Sequence, residues 1–266
     1  MNYTADLLII DPQNDFCDSR GSLFVPGSEE DVNRLNVMIK RVGDRLNDIH
    51  ITLDTHHNLD VAHPLFWLDA QQNHPAPFTL ISVDDVKNGV WRTSIHAFQE
   101  RALAYVEALE KNNRYQLLIW PPHCLIGSWG TQVVPNLWNI VSDWEKQHVA
   151  FVDYVTKGSN LFTEHYSAVK ADVPDPNDPS TQLNIPLVET LKNVDIIGIA
   201  GEALSHCVKF TTKDIADNFG DENIKKMVLL EDCTSSVTGF EQQGLDFIDE
   251  MKSRGMQVMK STDFLA

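Results

Sequence analysis

Short apolar runs alternate along the chain with stretches of helical periodicity. The first run, ADLLIID (5–11), is followed by EEDVNRLNVMIKRVGDRL (29–46), whose apolar residues recur at the spacing of one helix face. Five further runs predict strands: DIHITLDTHH (48–57), HVAFVDYV (148–155), DIIGIA (195–200), MVLLED (227–232) and MQVMK (256–260). Strands that alternate with helices predict an α/β fold, a three-layer sandwich with a mainly parallel central sheet.

One long segment, from Pro64 to Leu118, interrupts this alternation. It contains SIHAFQERALAYVEALEKN (94–112), an amphipathic stretch that predicts a helix. Such a helix usually packs on its own domain, although the segment could also be a lid, an oligomer contact or a partner surface. The Pro- and Asp-rich stretch 171–182 predicts an exposed loop. We therefore predict a single domain over residues 1–266 with an enlarged insertion at about 64–118.

Composition and charge narrow the class of protein. The chain has 266 residues, is 42% hydrophobic, and carries a formal net charge of −17 from 21 basic and 38 acidic residues. This charge argues against a nucleic-acid or anionic-membrane partner. There is no 18-residue apolar run, and the N-terminus lacks a basic start, so we expect a cytoplasmic protein. Four widely spaced cysteines favour free thiols over a disulfide framework.

Four polar residues follow predicted strands at the positions where parallel sheets bind ligands. They are Asp11, Asp54, Lys157 and Cys207. Each has an ordinary explanation, because aspartates cap helices, lysines are solvated, and free cysteines pack in cores. Together they suggest catalysis: a helix N-terminus and Lys157 would lower the pKa of the Cys207 thiol, and Asp11 could carry a proton.

Histidines form a second candidate group. DTHHNLDVAHP supplies Asp54, His56, His57 and His63, and WPPHC supplies His123. Asp54 and His56 would share one strand face, which suits a zinc, iron or manganese site. A merely polar loop is equally compatible with the pattern, and the spacing alone does not decide which histidines bind.

Five motifs, in order along the chain, resemble the nicotinamidase branch of the isochorismatase-like cysteine hydrolases. They are IIDPQNDFCDSRGSLFVPG, DTHHNLDVAHP, WPPHC, KGSNLFTEHYSAV and GIAGEALSHCVKFTTKDIAD. The resemblance spans the chain apart from 64–118 and 171–182, and it implies the isochorismatase-like fold. WPPHC together with Asp-x-His points to the metal-containing nicotinamidases.

The resemblance also implies the roles of individual residues. It assigns the catalytic triad to Asp11, Lys157 and Cys207. It places a cis peptide bond between Glu202 and Ala203, and an oxyanion hole at the backbone N–H groups of Ala203 and Cys207. Aromatic residues around the substrate ring correspond to Phe16, Trp120 and Tyr166. The remaining cysteines, Cys17, Cys124 and Cys233, are expected to be structural.

The same resemblance implies one divalent metal ion, with zinc expected and iron or manganese as alternatives. Its ligands fall on Asp54, His56 and His123, and a further ligand found in some members falls on His63, one residue out of register. His57 competes with His63 for that place. On a continuing strand His57 would point away from His56, whereas His63 can return through the loop NLDVA, so we favour His63.

The implied activity is a metal-dependent nicotinamidase that hydrolyses nicotinamide to nicotinate and ammonia through a cysteine thioester, as part of NAD salvage. The expected partner is a small-molecule amide, and a homo-oligomer is compatible with the sequence. One alternative is a related cysteine amidohydrolase acting on another small amide or carbamoyl compound. Another is a catalytically silent scaffold. The intact triad argues against the scaffold, and Asp54, His56 and His123 argue against the metal-poor amidohydrolase.

Overall fold

A computed structural model describes residues 3–112 and 115–266. In chain order its strands and helices are β1 (Ala5–Ile10), α1 (Asn14–Cys17), α2 (Ser28–Val42), β2 (Asp48–Asp54), β3 (Trp67–Leu68), β4 (Leu80–Ile81), α3 (Val83–Lys87), β5 (Arg92–Thr93), α4 (Gln99–Lys111), β6 (Leu117–Leu118), α5 (Pro135–His148), β7 (Asp153–Lys157), α6 (Ile185–Lys192), β8 (Ile196–Gly201), α7 (Lys209–Phe219), α8 (Asp221–Ile224), β9 (Met227–Leu230), α9 (Glu241–Ser253) and β10 (Gln257–Met259).

Six strands form the central sheet, in the order β10-β9-β8-β1-β2-β7, and all neighbours are parallel. β1 lies inside the sheet and is buried along its whole length, as its continuous apolar run indicates. From β1 the chain builds first toward β7 and later, from β8, toward β10. The strand order therefore reverses beside β1, which is where open α/β sheets bind their ligands.

Helices cover both faces of the sheet. The side chains of β1 alternate, so that Leu7 and Ile9 pack with α2 and α5, while Leu8 and Ile10 pack with α6, α7 and α9. This arrangement confirms the predicted three-layer α/β sandwich.

The segment 64–118 forms two small antiparallel pairs, β3 with β5 and β4 with β6. The predicted helix is present as α4, and its buried side chains join the same core as α2 and α5. The helix therefore packs on the core of its own chain, as such amphipathic stretches usually do.

The structure corrects two sequence predictions. The strand predicted at 148–155 begins at Asp153, because α5 continues through His148 by burying Leu137, Val141 and Trp144 against the core. The stretch 171–182 lacks regular structure apart from one 3-10 turn, but it is not uniformly exposed, since Ala171 and Thr181 are buried. Within the described residues, no helix has both the length and the apolar content that a membrane span requires.

Candidate active site

The carboxyl ends of four neighbouring strands bring the predicted triad together. Asp54 and Lys157 end β2 and β7 and are paired in register. Asp11 directly follows β1, whose last residue, Ile10, is paired with Gly201 at the end of β8. Cys207 lies six residues beyond Gly201, on a π-helical turn (Leu204–Val208) that leads into α7. Residues distant in sequence thus meet at one edge of the sheet, as predicted.

Lys157 contacts all three of the other residues, Asp11, Asp54 and Cys207. Its buried Nζ lies 3.0 Å from Asp11 Oδ2, 3.0 Å from Asp54 Oδ1 and 3.6 Å from Cys207 Sγ, and it donates to the carbonyl of His165 at 2.7 Å. Burial alone would lower the pKa of Lys157, but the two carboxylates raise it well above its usual value. The side chain is therefore a fixed cation beside the thiol.

Asp11 is fully buried, and its backbone has a φ of 45°, a conformation that is uncommon outside glycine. Its N–H donates to the Thr52 carbonyl and hydroxyl, and the Thr52 hydroxyl donates to Asp11 Oδ1 at 2.5 Å. These bonds fix the carboxylate. Burial and the nearby Asp54 raise its pKa against the opposing effect of Lys157, so Asp11 is well suited to accept and return a proton.

Cys207 corrects one expectation. Its position and its contact with Lys157 are as predicted, but burial raises the pKa of its thiol well above the usual value. Lys157 opposes this shift, whereas Asp11 and Asp54 add to it. The resting thiol is therefore protonated, and a proton acceptor such as Asp11 is needed to activate it.

The turn before Cys207 is held by backbone hydrogen bonds on both sides. The N–H of Glu202 donates to the Ile10 carbonyl at 2.7 Å, and that of Leu204 donates to the Ser235 carbonyl at 2.8 Å. The Ser235 N–H in turn donates to Glu202 Oε2 at 3.0 Å. The peptide bond between Glu202 and Ala203 is cis, as the resemblance implies. The assignment of the Ala203 and Cys207 N–H groups as an oxyanion hole stays a prediction.

Three buried histidines converge beside the triad. One ring nitrogen from each of His56, His63 and His123 lies within 4.8 Å of the others. Each Nδ1 has an oxygen neighbour: Asp60 Oδ2 at 2.9 Å from His56, the His57 carbonyl at 3.1 Å from His63, and the Pro121 carbonyl at 2.9 Å from His123. Such contacts fix the ring so that the lone pair of Nε2 is free for a metal.

The remaining ring nitrogens fit a metal ion. The Nε2 atom of His63 is buried without a hydrogen-bond partner among the described residues, and that of His56 faces the Asp54 carboxylate. Asp54 Oδ2 lies 3.1 Å from His56 Nε2 and 3.5 Å from His123 Nε2. Three imidazoles and one carboxylate form a donor set typical of zinc. The side chain of His57 is exposed to solvent, outside this cluster, although the assignment of His63 as a ligand stays a prediction.

A cavity opens onto both groups. The three predicted aromatic residues line it together with Asp54, His123, Ala203 and Cys207. The rings are ordered by contacts: the Trp120 indole donates to the Tyr166 hydroxyl at 3.0 Å, and Phe16 lies edge-on to His123. The cavity therefore places an aromatic-walled space between the thiol and the histidine cluster.

Four lining residues were missed by the sequence analysis: Leu23, Glu164, His206 and Val237. Glu164 is buried with its Oε1 3.9 Å from His56 Nε2, and burial raises its pKa to about 8. Its place beside Tyr166 in the lysine-loop motif was a signal that could have been followed. His206 directly precedes the nucleophile, and its neighbourhood could likewise have drawn attention.

No family model matches the chain. A nicotinamidase from Saccharomyces cerevisiae is 26% identical over 213 residues, which cover 79% of this chain and 81% of the yeast protein. The solved structure of the yeast nicotinamidase bound to the inhibitor nicotinaldehyde has a TM-score of 0.67 and 21% identity, covering 97% of this chain and 100% of that one. The chain has the isochorismatase-like fold of the nicotinamidases.

A second solved structure extends this likeness to a metal-bound protein. The pyrazinamidase of Pyrococcus horikoshii in complex with zinc has a TM-score of 0.56 and 18% identity, and the match covers 96% of this chain and 98% of that one. These comparisons confirm the resemblance that the five motifs indicate. The roles of the individual site residues stay predictions.

Proposed function

We propose that the chain is a metal-dependent nicotinamidase, which hydrolyses nicotinamide to nicotinate and ammonia. The observation that carries this proposal is the contact of Cys207, Lys157 and Asp11 at one end of an aromatic-walled cavity that also opens onto His123 and Asp54. The predicted enzyme class, a cysteine-dependent amidohydrolase acting on an amide C–N bond, agrees with the relatives, which are nicotinamidases.

In the first half of the reaction, Asp11 takes the thiol proton as Cys207 Sγ attacks the carboxamide carbon. The Lys157 ammonium stabilises the negative charge on both groups during this transfer. The carbonyl oxygen becomes an oxyanion that accepts hydrogen bonds from the backbone N–H groups of Ala203 and Cys207. As the oxyanion collapses, Asp11 returns the proton to the amide nitrogen, the C–N bond breaks, and ammonia leaves a thioester on Cys207.

In the second half, a water molecule takes the place of ammonia. Asp11 removes one proton from the water, whose oxygen attacks the thioester carbon. The C–S bond then breaks and releases the carboxylic acid, while the Cys207 sulfur takes back the proton from Asp11. Atoms and charges balance, and Asp11 serves as base and acid in both halves.

The residues that would hold the metal are Asp54, His56, His63 and His123. When bound, a divalent ion supplies a Lewis-acid site for a lone pair on the substrate ring, and so orients the substrate. Asp54 links this site to the triad, because its other carboxylate oxygen contacts Lys157. We propose zinc as the ion, since the donor set suits it and the pyrazinamidase structure contains it.

The test is ammonia release from nicotinamide by the purified chain, with metal content measured on the same sample. Cys207→Ala should lower the rate by more than about a hundredfold, because no other group can form the acyl intermediate. The matched control is Cys233→Ala, a buried cysteine that does not line the cavity and should keep its activity.

Two outcomes would contradict the proposal. If Cys207→Ala keeps more than a few per cent of the activity, the nucleophile is wrong. If the wild type releases ammonia from other small amides or carbamoyl compounds but not from nicotinamide, the chain is the related amidohydrolase considered above.

A further inference from the structure

Glu202 is a buried acidic residue that the proposed mechanism does not use. It directly precedes Ala203 in the turn before Cys207, is only 1% exposed, and does not line the cavity. Ala203 does line the cavity, and its N–H, the proposed oxyanion donor, has no acceptor within the described residues. The direction of this N–H depends on how the residues on either side of it are held.

Ser235, in the loop between β9 and α9, holds the turn on both sides of Ala203. Its N–H donates to Glu202 Oε2 at 3.0 Å, and its carbonyl accepts from the Leu204 N–H at 2.8 Å. Its hydroxyl donates to Asp31 Oδ2 at 2.5 Å, so the serine also ties the turn to the start of α2. Two carboxyl groups, one from Glu202 and one from Asp31, therefore contact the same serine.

Within the described residues, one cation contacts this pair of carboxyl groups. Arg34 donates to Asp31 Oδ1 at 2.6 Å, and 43% of its side chain is exposed. Both oxygens of Asp31 are thus acceptors, since Oδ2 takes the Ser235 hydroxyl. No donor in the described part of the chain reaches Glu202 Oε1, which is buried. Two like charges in a buried site disfavour each other, so the pair is expected to hold one proton, on Glu202 Oε1.

The groups that face Glu202 agree with a neutral side chain. Burial raises the pKa of Glu202 well above its usual value, and the charge of Asp31 and a side-chain hydrogen bond with it add to the shift. The Ser235 N–H and the charge of Arg34, on α2, oppose it. From α1, Cys17 also faces Glu202, but its thiol is neutral, because burial raises the pKa of that thiol well above its usual value. Glu202 therefore donates to Asp31 as the acid.

We propose that Glu202 is a positioning residue, whose neutral carboxyl group bridges Ser235 and Asp31. The bridge fixes the peptide group of Ala203, so that its N–H points to the place where the oxyanion forms. The inference rests on the proposed function, since it takes acyl transfer through that oxyanion as the reaction. Loss of the proton would place two charged carboxylates together and release this end of the turn.

The first measurement is urea unfolding of the wild type and of Glu202→Gln across pH. Gln keeps an acceptor for the Ser235 N–H and a donor to Asp31, but it takes up no proton. Because the folded state holds a proton that the unfolded state releases above about pH 4.5, the wild type loses stability as pH rises. Its unfolding constant should rise by up to about tenfold per pH unit relative to that of Glu202→Gln. Glu30→Gln, an exposed residue beside Asp31, is the matched control and should follow the wild type.

The second measurement is kcat and kcat/KM for ammonia release from nicotinamide by the zinc-loaded protein. Glu202→Leu retains a side chain of similar volume but removes both bonds of the carboxyl group. It should lower kcat and kcat/KM by the same factor, about tenfold or more, because the Ala203 N–H contacts an oxyanion only after the thiol has attacked. Glu202→Gln should recover most of this loss. At alkaline pH the wild type should lose more of its kcat than Glu202→Gln does, because only the wild type loses the proton.

A ratio of the wild-type and Glu202→Gln unfolding constants that does not change with pH would overturn the inference, because Glu202 would then be charged in the folded protein. Unchanged kcat and kcat/KM in a folded Glu202→Leu would also overturn it and leave the residue only a packing role. If Glu202→Leu does not fold, Glu202→Gln decides: an alkaline loss of kcat equal to that of the wild type excludes the proton from positioning. Failure of the proposed function is seen separately, as a wild type that releases no ammonia from nicotinamide, while the unfolding comparison still reports the proton on Glu202.

Discussion

At the scale of single residues, Lys157 joins the two halves of the site. It contacts the carboxylate that moves protons, the carboxylate that faces the histidines, and the thiol. Without it, the buried Asp11 carboxylate and the Cys207 thiol would lose the cation that both contact. Lys157 therefore opposes the effect of burial on the pKa of Asp11, helps to lower that of Asp54, and limits the rise in the pKa of Cys207.

Lys157→Ala should raise the pH at which Cys207 reacts with iodoacetamide. The sign follows from the contacts: Lys157 lowers the thiol pKa, so its removal leaves burial, Asp11 and Asp54, which all raise it. The measurement is the rate of alkylation against pH, with the modified cysteine identified by mass spectrometry.

Lys213→Ala is the matched control, since this lysine pairs with Glu250 on the surface and should leave the profile unchanged. An unchanged profile in Lys157→Ala would remove the lysine from thiol activation and leave it a structural role only.

At the scale of elements, the junction of β8 with the nucleophile turn depends on Gly201. Its φ is +109°, and a Cβ at this position would lie 2.0 Å from the Ile10 carbonyl oxygen and 2.5 Å from the Ile10 nitrogen. Both are backbone atoms of the neighbouring strand β1, so they cannot rotate away. The close approach of β8 to β1 is what allows Glu202 to bond to Ile10 and the turn to start where it does.

Gly201→Ala should therefore lower the free energy of unfolding by at least about 3 kcal/mol, from the unfavourable φ and from overlap with backbone. Gly255→Ala is a close match, because its φ is +106° but nothing lies within 4 Å of the added Cβ. It should cost only about 1 to 2 kcal/mol. Urea unfolding of both variants decides the matter: equal losses would mean that the contact with Ile10 is relieved by movement of the strands.

At the scale of the whole molecule, the sequence was informative where strand order alone determines position. Asp11, Asp54, Lys157 and Cys207 could be placed together because the ends of parallel strands meet at one edge. The strand predicted at 148–155 is present as β7, but it starts only at Asp153, because the amphipathic face of α5 continues past the expected boundary.

The pattern of residues along the sequence does not predict properties that arise from packing between distant segments. The high pKa of Cys207 comes from its burial, which no local motif encodes. His206 and Glu164 enter the cavity because the loops that carry them fold against Trp120 and the histidine cluster. Their contacts involve residues far apart in sequence, so the only signal in the sequence is their place in the motifs, Glu164 two residues before Tyr166 and His206 directly before Cys207.

The metal site also acts at the scale of the whole molecule. Asp54 ends β2, His63 lies in the loop after it, and His123 lies in a turn before α5, so one ion would cross-link residues 54 and 123, which are far apart in sequence. Binding to the folded chain alone stabilises it by about 2.7 kcal/mol when the ion is at a hundred times its dissociation constant. For a chain of this size, that corresponds to a rise in Tm of roughly 5 to 10 °C.

Thermal unfolding with increasing zinc, together with metal analysis, tests this site in four variants. His56→Ala, His123→Ala and His63→Ala should each reduce both the bound zinc and the shift in Tm, because each removes a converging nitrogen. His57→Ala is the matched control: its side chain is exposed, and its backbone carbonyl still accepts the bond from His63. A chelator should reverse the shift in the wild type and in His57→Ala. Loss of zinc in His57→Ala, with retention in His63→Ala, would reverse the assignment of the two histidines.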